Sequence, residues 1–116
     1  MSIEHGNLNS VEEHNPKRGG WFIGNFIPEP SLLHSKQCEV KWAHHPKGLK
    51  KSSGLNLDTD SRTVVVILSG QWKLLFTNEN KEVLLSQPGD FVVFDGVEHT
   101  SEALEDCHVM VVRWYP

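Results

Sequence analysis

The feature that most restricts what this chain can fold into is the spacing of its short apolar runs after Arg62. Thr63 to Leu68, Gln71 to Thr77, Glu82 to Leu85, Phe91 to Phe94 and His108 to Tyr115 are each of strand length. Between them stand Ser69-Gly70, Asn78-Glu79-Asn80-Lys81, Pro88-Gly89-Asp90 and Asp95-Gly96. Glycine reaches backbone conformations closed to other residues, proline cannot donate to a ladder, and Asn and Asp bond their own turns. Such punctuation therefore ends strands and closes hairpins. No segment carries a persuasive helical period. The pattern implies an all-β sandwich or barrel with little or no helix.

The first half fits the same plan less fully. Residues 1–20 are polar and broken by Pro16 and Gly19-Gly20, so they read as an N-terminal arm ahead of a β domain over residues 21–116. Trp21 to Ile27 is a β-prone run that stops at Pro28. Gln37 to His44 alternates: Cys38, Val40, Trp42 and His44 share one parity, and Glu39, Lys41, Ala43 and His45 the other. With Trp and Val on the first parity, that side is expected to face the core and to carry His44 with it. Val64 to Leu68 is apolar on both parities. A strand of that kind needs cover on both faces, which makes a homodimer the expectation.

At 116 residues the chain has room for one core. A formal charge of −4 and the lack of a basic stripe exclude a nucleic-acid surface; Lys47, Lys50 and Lys51 form only a short cluster beside a loop. No apolar run approaches the roughly 20 residues that span a bilayer, and residues 1–10 lack a signal-peptide pattern, so neither a membrane nor secretion is expected. Two cysteines in that setting read as reduced thiols of a cytoplasmic protein.

From Val64 to Trp114 the chain resembles the small conserved-barrel cupins, a jelly-roll β-barrel family. Ile67-Leu68-Ser69-Gly70 is similar to the family's strand ending in glycine. Pro88-Gly89-Asp90-Phe91-Val92-Val93-Phe94-Asp95-Gly96-Val97-Glu98-His99 is similar to its second motif, in which a glycine turn delivers a histidine to the barrel interior. The resemblance implies that His99 faces inward. The first motif, which carries the other metal ligands, is degenerate. Anchoring it on Gly70 puts its glutamate position at Thr63, and anchoring it on Gly48 puts its two histidine positions at Gly54 and Asn56. Phe94 and Ala103 stand where the second motif commonly has proline and asparagine.

Two chemistries stay open on these residues. His99 with His44 and His45 could hold a divalent transition metal (Fe, Zn, Ni, Cu or Mn), since imidazoles suit such ions; otherwise these histidines hydrogen-bond within a polar cavity or at the surface. Trp42 and Trp72 are the candidates for the apolar wall of a small-organic-ligand pocket, with core packing as the alternative. Asn56, Asp58 and Asp60 share a parity but lack the order of a calcium loop, and read as a solvated loop. Cys38 and Cys107 in strands behave as small hydrophobes rather than nucleophiles. The function expected is a small cupin barrel binding a small molecule, an atypically held metal, or both. A metal-dependent dioxygenase- or isomerase-like enzyme and a non-catalytic interaction barrel are the alternatives.

Overall fold

The computed structural model describes residues 3–51 and 60–116. Among the described residues nine strands build two antiparallel sheets. β1 (Trp21–Ile23), β2 (Cys38–His45), β9 (Cys107–Trp114), β4 (Arg62–Ser69) and β7 (Phe91–Phe94) form the first sheet in that spatial order. β3 (Lys50–Lys51), β8 (His99–Ala103), β5 (Trp72–Phe76) and β6 (Lys81–Leu85) form the second. The sheets close on one core that draws on both, with Ala43, Val65, Ile67 and Val109 from the first and Trp72, Leu74, Phe76, Leu85 and Ala103 from the second. The fold is the small all-β barrel that the run spacing implies.

The turns explain themselves. Gly70 links β4 to β5 at φ +82, where a side chain is strained, and a Cβ there would strike the backbone of Asp106 and Cys107. In Pro88-Gly89-Asp90, Gly89 takes φ +93 and its N–H donates to the Ile67 carbonyl at 2.8 Å. Asp90 Oδ2 accepts from the backbone N–H groups of Ser86 and Gln87 at 3.1 and 2.9 Å. The motif therefore ties the β6–β7 turn to β4.

Three features depart from expectation. The arm contains a helix, α1 (Leu8–His14), followed by a 3-10 turn (Pro16–Arg18). Asn7 caps α1 by accepting from the N–H groups of Asn9 and Ser10. β1 is three residues long rather than seven. His99 opens a full strand, β8, which pairs with both β5 and β3. No helix among the described residues is long and apolar enough to cross a membrane.

The outer face of the first sheet is apolar. Val93, Val64, Val112 and Val40 lie side by side across it, and Phe91, Val66, Met110 and Trp42 form the next row. Phe91 and Val93 are 63% and 51% exposed. In β4 itself Val65 and Ile67 are buried, whereas Val64, Val66 and Leu68 are half-buried on the outside.

Candidate functional site

The parity of β2 decides what the barrel interior contains. Lys41, Ala43 and His45 are the buried residues of this strand, and Trp42 and His44 alternate with them on the outer side. Directly paired residues of an antiparallel ladder share a face. Glu39, Arg113 and Thr63 therefore make one inward row, Lys41, Val111 and Val65 the next, and Ala43, Val109 and Ile67 a third, with His45 beside Cys107 beyond them. The opposite sheet contributes Lys51 beside Ser101 and Leu74 in one row, and His99 beside Phe76 in another.

Between these walls lies a cavity of about 150 Å³. Trp21, Trp72 and Phe94 give it aromatic sides. Lys41, Lys51, Arg113, His45, His99, Thr63 and Ser101 bring nitrogen and hydroxyl groups to it. A larger open groove, about 360 Å³, runs between β6 and β7 and is lined mainly by Phe76, Val83, Val92 and Val97; it holds no imidazole.

Positive charge dominates this cavity. No aspartate or glutamate lines it among the described residues. Burial first, then the neighbouring Lys51 and Arg113 charges, push the Lys41 amine down to about 7 from its ordinary 10.5. Burial, with Lys51 and Lys41 nearby, likewise pushes His45 down to about 3, so its imidazole is neutral at pH 7. The His45 ring stacks on Trp72 with centroids 4.5 Å apart. The Lys41 ammonium lies 5.7 Å, and the Arg113 guanidinium 5.1 Å, from the Trp21 ring centroid, so both lean on one aromatic face. Arg113 Nε donates to Thr63 Oγ1 and its NH1 to Glu39, each at a loose 3.4 Å. His99 Nδ1 donates to the Val97 carbonyl at 3.2 Å, which leaves Nε2 as the lone-pair nitrogen.

Of the residues expected to form a site, His45, His99 and Trp72 line this cavity. His44 and Trp42 do not. Both stand on the outer face, where α1 covers them: Glu12 accepts from the His44 backbone N–H and from His44 Nδ1, each at 2.7 Å, and Trp42 Nε1 donates to Asn9 at 2.8 Å. The expected inward parity was thus the reverse of the real one. The apolar side of β2 packs against the arm, and its polar side faces the cavity. Trp42 and His44 also pack on His108, at 4.1 and 3.9 Å between ring centroids. Burial, then the His44 charge, lowers the His108 pKa, and its Nε2 is buried without a hydrogen-bond partner among the described residues. Lys41, Lys51, Arg113 and Trp21 were missed. For Lys41 and Arg113 the signal was an ionisable residue within a strand, on the parity of Ala43 and of Val109 and Val111 respectively.

Cys38 and Cys107 are free thiols at opposite ends of the β2–β9 ladder. Asp60 is exposed, whereas Asn56 and Asp58 lie outside the described residues.

No family model and no curated protein matches the chain. Solved structures do. A cupin superfamily protein from Desulfitobacterium hafniense superposes with TM-score 0.60 at 14% identity, covering 71% of each chain. KdgF from a Halomonas species gives 0.60 at 19% identity over 72% of this chain and 73% of that one. A cupin-2 domain protein from Shewanella frigidimarina gives 0.54 at 18% identity and covers 92% of this chain and 91% of its own.

The chain has a cupin fold.

The metal that the fold suggests needs donors that these residues supply only in part. Gly54 and Asn56, the histidine positions of the first motif, lie outside the described residues. Thr63, at the glutamate position, is buried and faces Arg113. Among the described residues no three His, Cys, Asp or Glu side chains gather in a way that could hold a metal ion. The two imidazoles present share their cavity with Lys41, Lys51 and Arg113, whose charges repel a divalent cation. The described residues alone do not supply a donor set that fits a resident metal.

Proposed function

We propose that this chain is a small-molecule-binding cupin whose ligand seats between the two sheets, on the surface formed by Trp21, Trp72 and Phe94. The observation that supports this reading is the partly open cavity of about 150 Å³ itself, which combines aromatic walls with convergent polar groups. A side-chain-filled interaction barrel offers no such space. A metal-dependent enzyme is the second reading, and its support is that His45 and His99 both line the cavity. A cytoplasmic location belongs to the same proposal, because two free thiols suit a reducing compartment.

Native mass spectrometry and metal analysis of protein purified without tag or chelator separate the readings. The proposal expects no stoichiometric transition metal and a small-molecule adduct that Trp72→Ala weakens. Stoichiometric metal that disappears in His99→Ala would replace it with the enzyme reading.

A further inference from the structure

We propose that the ligand of this cavity is a small organic anion, a carboxylate with a flat apolar body. Its charged head is held by Lys41, Lys51 and Arg113, and its body lies between Trp72 and Phe94. The inference rests on the small-molecule reading above and names the class of molecule.

The first ground is charge. Three cationic side chains from β2, β3 and β9 converge on one partly open space, and no described carboxylate is among the residues that line it. Glu39 pairs with Arg113, but only through NH1 and at 3.4 Å, so most of the guanidinium fork stays available for bidentate recognition. Lys41 and Lys51 have no ion-pair partner among the described residues. The nearest acidic influence on Lys41 is Glu12, which is engaged with His44 on the outer side.

The second ground is the cost of this arrangement. Lys41 is 9% exposed, so its amine is buried beside two other cations. Buried charges without partners destabilise a fold, and apolar residues of similar volume ordinarily do better. An anion seated among the three cations removes that penalty. It restores the attraction that the free protein lacks, and the relief appears as binding free energy.

The third ground is shape. A space of about 150 Å³ takes about one benzene ring, so the part of the ligand seated in it is small. The Trp21 ring is met by the Lys41 and Arg113 cations, and one face of Trp72 is covered by the neutral His45 ring, so aromatic and cationic groups line the same space. The hydroxyls of Thr63 and Ser101 line the same space and can donate to carboxylate oxygens.

Matched pairs of probes test the inference on the full chain. Calorimetry or amide NMR would compare benzoate with benzamide and pyruvate with pyruvamide, each pair differing mainly in charge. The expected result is saturable binding of at least one carboxylate, at least tenfold tighter than its amide. That binding should weaken at least tenfold in Lys41→Met and in Arg113→Gln, with both variants folded by circular dichroism. Lys51→Gln, nearer the surface, is the second variant should either of those fail to fold. Equal binding of acid and amide would overturn the anion assignment and leave the small-molecule reading standing. No saturable binding of either class would overturn both.

Discussion

At the residue scale the decisive position is Lys41. A lysine in the middle of a strand, on the parity of a buried alanine and a buried histidine, has no packing reason to be there. The alternation of β2 was legible in the sequence, but its direction was not. Trp and Val were expected to mark the core, whereas here they mark the side under α1, and the polar residues mark the cavity. Lys41 also makes stability depend on pH. Its folded pKa of about 7 lies below the ordinary 10.5, so between these values the unfolded chain binds the extra proton. Stability therefore rises as pH increases through that window, and below about 7 the full cost of the buried charge is present. Lys41→Met is expected to raise the melting temperature at pH 7, by a few kcal/mol of stability at most, and to flatten the rise toward pH 10. Thermal denaturation of both proteins across pH 6–10 measures this. A lower melting temperature for Lys41→Met would mean that the amine is structural. His45 acts in the same sense at lower pH. With a folded value near 3 against 6.5, its contribution is lost as pH falls from about 6.5 toward 3.

At the element scale the strands after Arg62 were legible because their turn residues have mechanical roles. Gly70 illustrates this, since its left-handed backbone lies against Asp106 and Cys107. Gly70→Ala is expected to cost roughly 1–3 kcal/mol in chemical denaturation, from strain plus the displaced β8–β9 turn. α1 was not legible. It is seven residues long and buries none of them, so its stability comes from docking rather than from an apolar stripe. Asn9 and Glu12 do the docking, onto Trp42 and His44. Glu12→Ala removes two charge-assisted bonds from a partly exposed site and is expected to cost about 1 kcal/mol. It should speed hydrogen exchange across residues 8–14, and exchange mass spectrometry reads that difference.

At the scale of the whole molecule, the barrel was legible from its second half, and the character of its interior was not. Run lengths and turns report where strands lie, but the charge of a cavity depends on which strand faces are brought together across two sheets. Arg113 is far from Lys41 and Lys51 in sequence, and the three reach one cavity only because the two sheets bring β2, β3 and β9 around it. The outer face carries the proposal of a homodimer. Phe91 and Val93, with Val64, Val66 and Met110 behind them, leave an apolar surface that a second copy would cover. Light scattering is expected to give a dimer for the wild type and a monomer for Phe91→Asp; a monomeric wild type would sink that proposal.

The account as a whole turns on a cationic cavity waiting for an anion. Side-chain NMR of labelled lysines reads it most directly, by following the titration of Lys41 with and without saturating benzoate. Lys41 should titrate near 7 in the free protein and move upward when the carboxylate is bound. A Lys41 that titrates near 10.5 in both states would contradict the account.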